Sequence, residues 1–154
     1  MSTIEARLSD LGITLPEAAA PAANYVPFVR TGNQLFISGQ LPMKEGKIQV
    51  TGKLGADVSL EDGKAAAKLC AINLLAQAKA ALGDLEKATR LVKIVGFVNS
   101  TADFTEQPQV INGASDFMVE AMGDKGRHAR SAVSAASLPF GAAVEIEAIF
   151  EIAD

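Results

Sequence analysis

Leu91-Val92-Lys93-Ile94-Val95-Gly96-Phe97-Val98 is apolar at nearly every position. In a strand, side chains alternate between faces, so Val92, Ile94 and Val98 point one way and Leu91, Val95 and Phe97 the other. Both faces then need cover, which places the run, extended to Ala88–Asn99, at the centre of a sheet. Upstream, Ser59 can cap a helix over Leu60–Leu82, with Asp62 in its first turn, Gly83 just past its end, and Ala, Leu and Ile at helical spacing between them. Downstream, Gln107–Met122 reads as a second helix with Pro108 in its first turn. Arg130–Ala136 and Ala143–Ile152 read as two closing strands.

Phe28-Val29-Arg30-Thr31 and Gln34-Leu35-Phe36-Ile37 flank Gly32-Asn33, a hairpin with glycine first, as a type II′ turn wants. From Leu41 to Val58, Gly46, Gly52 and Gly55 punctuate a loop with room for one short strand near Ile48 and Val50. The order is β-β-(β)-α-β-α-β-β, an α+β layer with a mixed sheet and two helices on one face. Residues 1–154 read as a single domain. Residues 1–23 form its N-terminal extension: a short helix opened by Ser2-Thr3-Ile4-Glu5 and ended by Gly12, then a connector from Pro16 to Ala23.

In the last strand, Val144, Ile146, Ala148 and Phe150 face one side, and Glu145, Glu147, Ile149 and Glu151 the other. Two helices cannot cover both faces of the sheet. The sequence therefore predicts a homo-oligomer whose sheets meet through Phe97, Val95, Phe36 and Ile149.

Of the 154 residues, 49% are hydrophobic and 21% charged, enough for one buried core. A net charge of −4 and a pI near 5.0 leave no basic field for phosphates, and aromatic stacking would rest on seven Phe and one Tyr, so nucleic acid is a poor partner. Cys70, the single cysteine, fits a reducing compartment, the cytoplasm. Within its helix it reads as a small buried hydrophobe without chemistry. No stretch has the form of an export signal or a membrane span.

The residues that carry chemistry lie near the end of the chain. Arg130 is followed fifteen positions later by Glu145, each in a strand-like run. If those strands are neighbours, a guanidinium and a carboxylate meet, either as a structural ion pair or as a site for a small carboxylate ligand with a water beside it. Strand parity, taking Ser131, Val133 and Ala135 as the helix side, leaves Arg130, Ala132 and Ser134 on the oligomer side with Glu145. His128, the only histidine, excludes a histidine-rich metal site and is either a loop residue or part of a ligand cleft. No G-x-S-x-G elbow or phosphate loop is present, and no metal or cofactor is expected.

Ala129-Arg130-Ser131, Leu138-Pro139 and Val144-Glu145-Ile146-Glu147-Ala148 together resemble the C-terminal signature of the Rid/YjgF family, the reactive-intermediate imine deaminases long labelled endoribonuclease L-PSP. Tyr25, Gly32-Asn33 and Ser38-Gly39-Gln40-Leu41-Pro42 are similar to its N-terminal hairpin at the same spacing. The resemblance runs from about Asn24 to the C-terminus. It implies a chorismate mutase-like fold, assembled as a homotrimer around a sheet-lined barrel with clefts between subunits. It further implies that Arg130 holds the carboxylate of a 2-imino acid and that Glu145 positions the attacking water. Tyr25, Ser38, Gly39, Ala132 and, on the second helix, Asn112 would line the cleft. His128 stands where the family has Pro or Ala, and Ala132 where it often has Cys; His128 would alter the cleft rim. The implied activity is cofactor-free deamination of small 2-imino acids to 2-keto acids and ammonia. The alternative is a module that binds 2-keto acids or related metabolites without catalysis, and an endoribonuclease ranks last.

Overall fold

A computed structural model describes residues 3–20 and 23–154 of the chain. Its sheet has the order β1-β2-β7-β5-β6, built from β1 (Phe28–Thr31), β2 (Gln34–Gln40), β5 (Ala88–Asn99), β6 (Ala129–Ala135) and β7 (Val144–Ile152). Within this sheet β5 and β6 pair in parallel and the other neighbours pair antiparallel. A parallel pair needs a crossover, and α3 (Gln107–Met122) supplies it. A small hairpin of β3 (Met43–Lys44) and β4 (Lys47–Ile48) fills the loop where one short strand is expected.

Helix α2 (Leu60–Leu82) begins where the Ser59 hydroxyl accepts the Asp62 N–H at 3.1 Å and ends at Gly83, whose φ of 77° only glycine adopts without strain. By length and composition α2 could cross a membrane, but 56% of its most apolar window is buried within this fold. It is a core helix, facing β7, β2 and α3. Helices α2 and α3 cross so closely that a Cβ on Gly113 would collide with the Lys64 carbonyl. The N-terminal helix α1 (Ile4–Asp10) is capped by Thr3, whose hydroxyl accepts the Ala6 N–H. Ser2 of the expected capping box and Pro21 and Ala22 of the connector lie outside the described residues. Ile4 and Leu8 are buried in the common core.

The central strand departs from strict alternation. A bulge between Leu91 and Lys93 resets its phase, so Leu91 joins Ile94 and Val98 in the core while Val92 moves to the other side. On the sheet face away from α2 and α3, cross-strand neighbours form an apolar band: Val29 with Phe36, Phe36 with Ile149, and Phe97 with Val133. Val29, Phe36 and Val133 remain 51%, 39% and 44% exposed. The chain's own helices leave this band uncovered.

Gly113→Ala should cost about 1–3 kcal/mol, because the new methyl group has to push α3 away from α2. Urea denaturation should show a lower midpoint than wild type; an unchanged midpoint would mean that the crossing is not close-packed.

Candidate functional site

Tyr25, Ser38 and Gly39 are brought together by the first hairpin. Beyond Ile37 the pairing of β2 with β7 skips to Gln40, so Ser38 and Gly39 sit in a bulge without partners in the β7 register. Ser38 is tied instead to the chain entering β1. Its N–H donates to the Pro27 carbonyl and its hydroxyl to the Val26 carbonyl, both at 2.9 Å. Tyr25, 53% exposed, stands beside it. Tyr25, Ser38 and Gly39 line one side of a cavity of about 380 Å³.

Glu145 reaches this group from β7. Its carboxylate lies so close to Gly39 that any Cβ there would overlap Oε2. Glycine is thus required by proximity, since its absent side chain makes room for the acid. Partial burial, and next the charge of Glu147, raise the Glu145 pKa above the ordinary carboxylate range. The same burial logic acts more strongly on Cys70, whose thiol is pushed well up and donates to the Val144 carbonyl at 3.7 Å. That thiol is no nucleophile.

Arg130 is held elsewhere. One guanidinium nitrogen donates to Ser115 Oγ at 3.1 Å and another to the Pro108 carbonyl at 3.3 Å, both on α3. Ser115 Oγ is also 2.9 Å from His128 Nε2, while His128 Nδ1 is 2.5 Å from the Gly126 carbonyl. A carbonyl can only accept, so Nδ1 carries a proton, and in the neutral ring Nε2 accepts from the serine hydroxyl. Ser115 is then free to accept from Arg130, and His128 orients the arginine through it. Asn112 lies one helical turn beyond Pro108 and three residues before Ser115, on the same side of α3.

The parity expected for β6 is reversed. Arg130, Ala132 and Ser134 pair with Ile94, Gly96 and Val98, all core-facing positions of β5, whereas Val133 pairs with Phe97 on the open face. Ala132 packs on the core, and Ser134 bonds Ser100 at 2.7 Å. Arg130 is therefore on the helix side of the sheet and Glu145, opposite Phe97, on the other. Among the described residues, neither enters an ion pair.

Ser115 escaped the reading of the sequence, although it lies one turn beyond Asn112 on the same side of α3. So did Phe140, which follows Leu138-Pro139. It is 76% exposed, lines the cavity, and has a φ of 59°, rare for a bulky side chain and found where surroundings enforce it.

Residues 5–151 match the family model described as "YjgF/chorismate_mutase-like, putative endoribonuclease". The chain belongs to this YjgF/chorismate mutase-like family. It is 52% identical over 150 residues to Protein TCP17 of Trypanosoma cruzi, covering 97% of this chain and 94% of that one. The crystal structure of Atu1372 of Agrobacterium tumefaciens, a protein of unknown function, superposes with a TM-score of 0.92 at 58% identity, covering 97% and 92% of the two chains. TdcF of E. coli, solved with bound serine, is a more distant YjgF-like neighbour: TM-score 0.67, 26% identity, and coverage of 89% and 94%. The mixed α+β architecture is that of the YjgF fold.

A carboxyl whose pKa is raised by folding is most favourable to the fold while protonated. Its contribution is full below the unfolded value, near 4.3 for Glu, and is lost as pH rises through the raised value. Glu145→Gln should therefore raise the thermal midpoint at neutral pH, with the difference shrinking to nothing below about pH 4. A difference independent of pH would contradict the assigned cause.

Proposed function

We propose that the chain is a cofactor-free hydrolase that converts small 2-imino acids to 2-keto acids and ammonia, in clefts assembled between copies of itself. The observation that carries this reading is the separation of two complementary half-sites. One holds Glu145 with Tyr25, Ser38 and Gly39; the other holds Arg130 with Ser115, and a sheet lies between them. Each half is chemically incomplete, since an arginine without an acceptor cannot act on a ligand's carbon, and a water-orienting acid without an anchor cannot select one. The uncovered band of Val29, Phe36, Val133 and their neighbours supplies a surface through which a second copy could bring its Arg130 half to the first copy's Glu145 half. A homotrimer, as in the family resemblance, closes such head-to-tail contacts.

In the joined cleft, the Arg130 guanidinium holds the substrate carboxylate in a two-pronged hydrogen bond. The C=N carbon then faces Glu145. Glu145 takes a proton from water as the oxygen adds to the carbon of the protonated imine, giving a neutral carbinolamine. It returns that proton to the nitrogen and takes the hydroxyl proton as the C–N bond breaks and the C=O bond forms, so that ammonia leaves with the 2-keto acid. The raised pKa of Glu145 suits an acid that must first accept and then return a proton. Serine bound in TdcF supports the substrate class, because it carries an α-carboxylate beside a nitrogen-bearing carbon. RNA fits less well: the net charge is −4, and Glu145, Glu147 and Glu151 share the open face.

An amino acid oxidase coupled to the purified protein generates 2-imino acids whose conversion can be followed as keto acid. Wild type should accelerate that step, and Arg130→Ala should lose ~10–100-fold in kcat/KM, the worth of a charged hydrogen-bonding anchor. Equal rates for the two would overturn the reading. Binding of keto acids with no acceleration of any imine would replace it with the non-catalytic binding module.

A further inference from the structure

Helix α2 is apolar on its buried side except at Gln77, which is 1% exposed and follows Leu74-Leu75-Ala76 in a run that otherwise fills the core. Gln77 lines the cavity that begins at Ser38 and Gly39, together with Asn73 one helical turn earlier and the strap Pro16–Ala20. Both carboxamides donate to main-chain carbonyls. Gln77 Nε2 donates to Ala19 O at 2.8 Å, and Asn73 Nδ2 donates to Leu41 O at 3.0 Å and to Met43 O at 2.9 Å. These bonds fix the amide orientations, because a flipped amide would set oxygen against oxygen. Gln77 Oε1 is left buried without a partner among the described residues. A buried orphan acceptor in a native fold marks a place where something donates to it.

This end of the cavity therefore offers an unpartnered acceptor, Gln77 Oε1. Its charged lining points the same way, with Glu17 and Glu45 against Lys44. A cavity of about 380 Å³ is also far roomier than a methyl or hydroxymethyl side chain requires.

Resting on the 2-imino acid reading above, we propose that the strap-covered end of the cavity is a side-chain pocket that selects substrates ending in N–H donors, an amide, ammonium or guanidinium group, with Gln77 Oε1 and Asn73 Oδ1 as the accepting atoms. The α-carbon of such a substrate lies at Ser38 and Gly39, the residue that the Glu145 carboxylate approaches, and its side chain runs inward under Pro16–Ala20. The strap belongs to the N-terminal extension, which thus has a role in specificity.

Calorimetric titration of the full-length protein with the 2-keto acids corresponding to arginine, norleucine and glutamate compares a donor-bearing, an apolar and an acceptor-only side chain without requiring turnover. The guanidino keto acid should bind about tenfold more tightly than the other two, the order expected for one net hydrogen bond to a buried acceptor. Gln77→Met should remove that preference while leaving affinity for the norleucine keto acid the same or better. A mere loosening of the strap would instead weaken all three alike. Equal affinities in the wild type, or a preference retained in Gln77→Met, would overturn the pocket assignment while leaving the deaminase reading intact. Turnover of no imine together with binding of no keto acid would overturn both.

Discussion

The register of three adjacent strands governs how this chain can act. Arg130 on β6 lies opposite Ile94 of β5, and Glu145 on β7 lies opposite Phe97. Those two positions are an odd number of residues apart on one strand, so they point to opposite faces of the sheet. No rotamer of Arg130 or Glu145 alters that. A guanidinium that leans on Ser115 and the Pro108 carbonyl and a carboxylate that leans on Gly39 belong to different surfaces. The proposed function through both calls for a second copy, and the apolar band on the open face is left uncovered by the chain's own helices.

The environments of the two groups are tuned differently. Arg130 is oriented by neutral donors and acceptors, a serine hydroxyl backed by His128 and a helix carbonyl, which fix its geometry without neutralising its charge. Glu145 is partly desolvated and faces Glu147, which favours its protonated form. One half-site thus presents a guanidinium and the other a carboxyl whose pKa is raised by burial and by Glu147. A carboxylate ligand with an electrophilic neighbouring carbon matches that division.

Much of the fold was legible because short signals agreed with long ones. Ser59 and Gly83 bracket an apolar helix, Gly32-Asn33 separates two alternating runs, and the strict alternation of Val144–Ile152 gives both of its faces. The grouping of Tyr25 with Ser38 and Gly39 came from the family resemblance. The parity of β6 was silent, because an edge strand of small residues carries little contrast: Val133 reads as a core residue, yet it points to the open face. The bulge at Leu91–Lys93 was equally silent, since Leu91 and Val92 are both apolar and suit the core under either phase. Ser115 and Gln77 matter through partners distant in sequence, the strand arginine and the strap carbonyl, and only packing reveals them.

The most direct test of a site divided between copies mixes two defective proteins. Arg130→Ala retains an intact Glu145 half and Glu145→Gln an intact Arg130 half. If the variants are unfolded together and reassembled in equal amounts, random head-to-tail assembly gives intact pairs at about a quarter of the clefts, and imine hydrolysis should recover to about that fraction of wild type. Activity no higher than that of the separate variants, in reassembled mixed oligomers, would contradict a shared cleft and return both residues to a single chain.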